Sequence, residues 1–272
     1  MIRLAVFGSP VKHSLSPRIH GLFAEQVGLD VDYRAIECGP AEFADCVRRL
    51  AADGGRGCNV TVPFKHDAWR LATRCSERAT LARAVNTLRF EAVDDWYGDN
   101  TDGPGLADDL SGPLQRQLQN ARICLLGAGG AAAGVLGALL EASPAALVVA
   151  NRSVGKANDL AERHRDLGPV AACSLAEAAR RGPYDLVLNS TSLGHKGAAP
   201  PIDAGWFAAD GLCYDLNYGR ASEPLCRLCR SLRVAYADGL GMLVAQAARS
   251  FELWTGRRPD TGPVLAELRA AS

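Results

Sequence analysis

No stretch of this 272-residue chain reaches the roughly 20 consecutive apolar residues that a membrane-spanning helix needs. The opening segment, MIRLAVFGSPVKHS, turns polar after a short apolar run, unlike a secretory leader. Net charge is missing too, because 30 Lys+Arg offset 30 Asp+Glu. There is no basic stripe to track nucleic-acid phosphates and no acidic tail. Nucleic acid and membrane are therefore not expected as partners, and small-molecule chemistry is. Repeats and low-complexity tracts are also missing. The nine cysteines are an odd number, scattered mostly in apolar segments. They read as reduced core thiols of a cytoplasmic protein rather than a disulfide framework. Cys226 and Cys229 form a CxxC with no second ligand pair, in an Arg-rich helical stretch, so no metal is expected.

What is present is a long α/β alternation, with 48% hydrophobic residues to fill one large core or two smaller ones. Strands are predicted over 3–8, 31–38 and 57–62, with helices over 16–28 and 41–53. One helix is predicted over about 66–83, then one or two strands up to Tyr97. Such alternation implies parallel pairing in an open sheet. GDNTDGPG (98–105) holds three glycines and a proline, too dense for a strand, and marks the crossing between two domains. A second run begins at 121–130 and continues through strands at 145–152, 184–191 and 211–216, with closing helices over 240–256 and 262–271. The expected division is 1–102, with 240–272 packing back on it, against 103–239.

In the third strand, Asn59 and Thr61 point to one face and Val60 and Val62 to the other, where they anchor a core. Pro63 ends the ladder and fixes a turn that presents Lys65. In the second run a strand leads into Gly127-Ala128-Gly129-Gly130-Ala131-Ala132 and an apolar helix, a G-x-G-x-x-A dinucleotide fingerprint. Its glycines permit a tight turn and close backbone approach to a pyrophosphate, and the helix N-terminus supplies free N–H groups. The next strand ends in Asn151-Arg152-Ser153, with Lys156 beyond, and carries no carboxylate for a ribose 2′-hydroxyl. A guanidinium and an ammonium at that tip suit a 2′-phosphate, hence NADP(H). A solvated helix start with ordinary charges is the alternative reading.

SPVKHSLSPRIH (9–20), NVTVPFK (59–65), AVNT (84–87), NTDGPG (100–105), GAGGA (127–131), NRS (151–153) and DGLGMLVAQA (238–247) follow one another along the chain. Together they resemble the bacterial monofunctional shikimate dehydrogenase family, over nearly the whole length. The resemblance implies an open α/β substrate domain, a Rossmann-type NADP-binding domain and an active site in the cleft between them. It further implies reduction of 3-dehydroshikimate to shikimate by NADPH, a step toward chorismate and the aromatic amino acids.

By the same resemblance, Lys65 and Asp102 form the catalytic pair. Such a reduction needs a positioned acid at the carbonyl oxygen. Ser14 and Ser16 match carboxylate-binding positions, although Ser16 before Pro17 also suits a helix cap. Thr61 and Asn86, with Asn59 nearby, match contacts to ring hydroxyls. Tyr218 and Gln246 match later substrate contacts, and a buried Gln246 on an apolar helix needs partners in any case. On the cofactor side, Leu216 and Gly239 match positions near the nicotinamide, and Thr191 with Ser192 a loop at the carboxyl end of the sheet. Glu77 matches a position sometimes assigned to NADP, and equally suits a surface glutamate. Arg83 stands where the family usually has glycine, and His195 where it commonly has methionine. His13 reads as a loop histidine. Gly103 and Gly105 beside Asp102 suggest a hinge. The expected assembly is a monomer or homodimer. A quinate/shikimate dehydrogenase using NAD and a catalytically silent binding protein on the same fold are the competing readings. The presence of both Lys65 and Asp102 disfavours the latter.

Overall fold

The structure, a computed structural model, describes residues 1–271. In chain order it comprises β1 (Ile2–Gly8), α1 (Ser16–Val27), β2 (Val31–Glu37), α2 (Phe43–Ala52), β3 (Gly57–Val60), α3 (Lys65–Leu71), β4 (Arg74–Cys75), α4 (Glu77–Ala82), β5 (Thr87–Ala92), β6 (Asp95–Asp99) and α5 (Asp102–Ser111). There follow β7 (Arg122–Leu126), α6 (Gly130–Glu141), β8 (Ala146–Ala150), α7 (Val154–His164), β9 (Val170–Cys173), α8 (Leu175–Arg181), β10 (Tyr184–Asn189), β11 (Phe207–Asp215), α9 (Glu223–Leu232), β12 (Ala235–Ala237), α10 (Leu240–Thr255) and α11 (Thr261–Ala270). The chain divides into two compact units, Met1–Gly105 with the chain from Leu243 on, and Leu106–Met242.

The first unit holds a sheet in the order β2-β1-β3-β5-β6-β4. β1 pairs in parallel with β2 and β3, but β3–β5 and β5–β6 are antiparallel, unlike the all-parallel pairing that the alternation implied. Only Val93 and Asp94 separate β5 from β6, and a two-residue turn can join only antiparallel neighbours. The helix predicted over 66–83 is likewise divided. Thr73 N donates to Trp96 O and Ser76 N to Gly98 O, so β6 takes the backbone groups that a continuous helix would have used. Ser76 then caps α4 through its hydroxyl, which accepts from Ala79 N. Arg83 ends α4 at φ +50°, in the left-handed region. A glycine there is unstrained, which accounts for the residue the family prefers, whereas arginine carries roughly 1 kcal/mol of strain.

The segment 98–105 is more regular than its glycine content suggested. Gly98 and Asp99 belong to β6, and Asp102 opens α5 with Gly103, Pro104 and Gly105 in its first turn. Proline loses no helical hydrogen bond in that turn. Gly98 is required by packing, since a Cβ there would lie 2.8 Å from both Ala72 Cβ and Val85 Cγ2.

The core of the first unit is built on Phe7, Phe43 and Phe64, with Phe43 and Phe64 stacked at 4.6 Å. Beside it His20 on α1 is fully buried and lies flat on Tyr33, with centroids 4.2 Å apart. Phe23, Phe251 and Trp254 complete its surroundings. Neither ring nitrogen has a hydrogen-bond partner among the described residues, and burial pushes its pKa down to about 3.

The second unit holds a parallel sheet ordered β12-β11-β10-β7-β8-β9. Counted within the unit this is 3-2-1-4-5-6, the doubly wound arrangement whose strand order reverses beside its first strand, β7. Strands β9 and β12 complete it and were not picked out in the sequence. Cys226 and Cys229 lie on α9, where the Cys229 thiol faces that of Cys213. All nine cysteines are free, and no helix among the described residues is long and apolar enough to cross a membrane.

The depressed pKa of His20 fixes the sign of a pH effect. Between about pH 6.5 and 3 the unfolded chain binds a proton at His20 that the folded chain refuses, so stability falls as pH drops through that window. The slope reaches about 1.4 kcal/mol per pH unit. Thermal melts of the wild type and His20→Phe between pH 7.5 and 4.5 check this. The histidine form should lose stability more steeply, and parallel curves would contradict it.

Candidate active site

Lys65 owes its position to the residue before it. Phe64 is buried in the aromatic core and forms the entry to α3, so the next side chain leaves the core at a fixed point. Val60 is buried as the alternation required, but Val62 is 66% exposed and anchors nothing. The strand ends at Val60, and Thr61–Phe64 form a turn closed by Phe64 N donating to Thr61 O.

Lys65 Nζ donates to Asp102 Oδ2 at 2.5 Å, with side-chain exposures of 16% and 8%. The other oxygen, Oδ1, accepts from Asn86 Nδ2 at 2.8 Å. Asp102 is held from behind by its backbone N–H on Asn100 Oδ1. The orientation of the Asn86 amide is unambiguous. Its Nδ2 faces a carboxylate, which accepts, and its Oδ1 faces the Thr101 N–H, which donates, at 2.9 Å. Gln246 joins from α10, its Oε1 3.2 Å from Asn86 Nδ2 and its Nε2 donating to Leu243 O. Gly105 permits this approach, since a Cβ there would lie 2.7 Å from Gln246 N. The hinge suggested at Gly103 and Gly105 is thus helical backbone of α5, with Gly105 packed on α10.

Ser14 and Thr61 occupy two adjoining loops, and Ser16 opens α1 just after the first of them. Ser9 N donates to Val62 O, and a Cβ on Gly8 would lie 2.5 Å from Thr61 Cγ2, so the ends of β1 and β3 are tied together. Ser16 does not cap α1; Ser14 Oγ accepts from Ser16 N at 3.2 Å instead, and Ser16 is buried. Asn59 is committed internally. Its Oδ1 accepts from Tyr33, and its Nδ2 faces Asn86 O, Thr87 Oγ1 and Ser250 Oγ, each at 3.1 Å. It braces the site rather than offering a free group. Lys65, Asp102, Asn86, Gln246, Ser14, Ser16, Asn59 and Thr61 all belong to the first unit, and Tyr218, half-buried, to the second.

In the second unit, β7 runs into Gly127 at φ +107°, where a Cβ would lie 2.5 Å from Ser190 Oγ. Ala128 is half-buried, Gly129 is the N-cap of α6, and Gly130 and Ala131 open the helix. Open space lies in front of Gly129 and Gly130, and the first turn of α6 carries no acidic residue. A pyrophosphate fits this cradle of bare backbone at a helix N-terminus. Beyond β8, Asn151 Nδ2 donates to Ser153 O, and Arg152, Ser153 and Lys156 are exposed. Glu77 is exposed on the first turn of α4, in the other unit.

Two clusters were not found from the sequence. Thr87, Thr101 and Ser250 are buried hydroxyls around Asn86. The only local signal was Ser250, one helical turn after Gln246 on an apolar helix. Asp215, fully buried at the end of β11, accepts at Oδ1 from Asn189 Nδ2, Asn217 N and Asn217 Nδ2. Burial raises its pKa to about 6. Asn217 Nδ2 also donates to Thr191 O, and Gly239 N donates to Asn217 O. The cluster thereby pins the loops that carry Thr191, Leu216 and Gly239. His195 is exposed.

Family models match three segments: "Shikimate dehydrogenase substrate binding domain" over 6–88, "Shikimate / quinate 5-dehydrogenase" over 109–196 and "Shikimate 5'-dehydrogenase C-terminal domain" over 239–269. The shikimate dehydrogenase (NADP(+)) of Dechloromonas aromatica is 49% identical over 97% of this chain and 96% of its own. The Ael1 enzyme of Pseudomonas putida superposes with a TM-score of 0.90 at 42% identity, covering 98% of both chains. The shikimate 5-dehydrogenase of Thermus thermophilus, solved with NADP(H) and shikimate, gives 0.85 at 32% identity and covers both chains fully.

The space before Gly129 separates a ligand effect from a folding effect. Gly129→Ala should leave the melting temperature unchanged, yet weaken dinucleotide binding about tenfold or more by holding the pyrophosphate off the backbone. Gly105→Ala should lower the melting temperature by clashing with α10. Titration calorimetry and melting curves check both, and equal dinucleotide affinity in Gly129→Ala would contradict the first.

Proposed function

The chain belongs to the shikimate dehydrogenase family, and from this we propose that Lys65 and Asp102 together handle the proton in its reaction. The reaction is the reversible NADPH-dependent reduction of 3-dehydroshikimate to shikimate. The supporting observation is the 2.5 Å Lys65–Asp102 pair, partly buried, with Asn86 holding the carboxylate oxygen that Lys65 leaves free.

Bound NADPH supplies the hydride that ends on the carbonyl carbon. The residues of the chain manage the oxygen. An ammonium has three donors, and Asp102 takes one, so two remain to meet the carbonyl oxygen and stabilise the charge that develops on it. One proton from the pair then completes the hydroxyl, and in the oxidation direction the pair takes it back. Asp102 orients Lys65 and offers an acceptor to a neighbouring substrate hydroxyl. Asn86, Thr61 and Gln246 are the residues we assign to ring hydroxyls, Ser14 and Ser16 to the substrate carboxylate, and Tyr218 to a further substrate contact. Asn59 acts through its bracing of Asn86.

For the cofactor, the backbone of Gly127–Ala131 would hold the pyrophosphate. Arg152, with Asn151, Ser153 and Lys156, would hold the 2′-phosphate, and Thr191, Leu216 and Gly239 would border the nicotinamide. Glu77 is exposed on α4, where a surface charge is the alternative to a cofactor contact. We read the protein as a cytoplasmic enzyme acting on small molecules, as a monomer or homodimer. Nine unpaired thiols support a reducing compartment.

Steady-state assays with shikimate and quinate, each with NADP and NAD, test this reading. Shikimate with NADP should give the highest kcat/KM, and Arg152→Ala should lower it for NADP while leaving NAD nearly unchanged. Lys65→Ala should reduce kcat by about 10²–10⁴-fold with NADP affinity retained. Higher kcat/KM with NAD, or near-normal turnover in Lys65→Ala, would contradict it.

A further inference from the structure

We propose that Thr87 and Ser250, neither of them a substrate contact, are positioning residues for the reaction. They are the middle links of a directed hydrogen-bond chain that runs from Tyr33 to Asp102. The proposal rests on the Lys65–Asp102 reading above.

The two ends of the chain are fixed by groups that can act in only one sense. The Asn86 carbonyl accepts, so Asn59 turns its Nδ2 toward it at 3.1 Å and leaves Oδ1 for the Tyr33 hydroxyl at 2.7 Å. The second N–H of Asn59 then faces Ser250 Oγ and Thr87 Oγ1. At the far end, Asn86 Oδ1 accepts from Thr87 Oγ1 at 2.9 Å, which uses the single proton of that hydroxyl. In the 2.7 Å contact between Thr87 and Ser250 either hydroxyl can donate, and we take Ser250 as the donor, which leaves the Thr87 proton for Asn86 Oδ1. The order is Tyr33 to Asn59 to Ser250 to Thr87 to Asn86 to Asp102, every link donating toward the carboxylate that holds Lys65.

Hydrogen bonds that point one way polarise one another, most strongly away from water. Thr87 and Ser250 are 0% exposed, on β5 and α10. Both Asn86 and Asp102 draw on this chain, although α10 lies about 150 residues from either in sequence. Without the Thr87 hydroxyl, Asn86 Oδ1 loses a donor, and the amide is held less firmly at the angle that serves Asp102.

Two substitutions separate the hydroxyl from its packing. Thr87→Val keeps the shape and removes the hydroxyl, whereas Thr87→Ser keeps the hydroxyl and removes a methyl. Each is assayed with shikimate and NADP, alongside melting temperature and NADP affinity. Thr87→Val should lose about 10- to 100-fold in kcat, with NADP affinity unchanged. Thr87→Ser should retain most of kcat while melting at a lower temperature. The reverse order, with Thr87→Val as active as wild type, overturns the proposal. If Thr87→Val does not fold, Ser250→Ala carries the same test, and wild-type kcat in that variant overturns it equally. A wild-type chain that fails to oxidise shikimate with NADP would defeat the functional reading instead.

Discussion

The site depends on one amide that cannot turn. Asn86 lies between the carboxylate of Asp102, which only accepts, and the N–H of Thr101, which only donates. Its orientation fixes one oxygen of Asp102, and Lys65 takes the other. A partly buried ion pair contributes little by itself, because the attraction only offsets the desolvation of both charges. It becomes specific when the carboxylate's other oxygen is satisfied, as it is here by Asn86, and when the backbone is held, as it is by the Asp102 N–H donating to Asn100 Oδ1. The rest of the first unit serves this arrangement. The Phe7–Phe43–Phe64 core sets the point from which Lys65 departs, and α10 returns to deliver Gln246 and Ser250.

The second unit answers a different physical problem, the holding of a large anion by backbone alone. Bare glycine at the tip of β7, a helix N-terminus without acidic residues, and basic side chains beyond β8 form one consistent set. The buried Asp215 cluster does for this unit what Asn86 does for the first. It ties the loops after β10 and β11 to a single carboxylate oxygen.

What could be read from the sequence was what local geometry dictates. The GAGGAA turn carries its conformational demand in its own glycines, and Gly127 does lie at positive φ. The strand–proline–lysine order of NVTVPFK likewise states its own turn. What was misread depended on distant partners. Residues 66–83 have helical composition, but β6 takes their backbone groups at Thr73 and Ser76. Gly98 and Gly105 are held to glycine by Ala72, Val85 and Gln246, which press on them, and not by an irregular chain. Val62 kept the alternation yet fell beyond the end of the strand. Thr87 was invisible, and Ser250 gave only its place one turn after Gln246, because nothing in a sequence shows that residues so far apart share a hydrogen bond. Arg83 is the converse case, a departure from the family whose strained φ explains the usual glycine.

The most direct test is a double-mutant cycle on Lys65 and Asp102. Lys65→Met, Asp102→Asn and the combined variant are compared in kcat for shikimate oxidation with NADP at saturating substrates. If the two side chains act as one unit, the second substitution adds little, and the double variant turns over no more than slightly slower than the slower single variant. If the two losses multiply, Lys65 and Asp102 act independently, and the buried pair is not the centre of the chemistry.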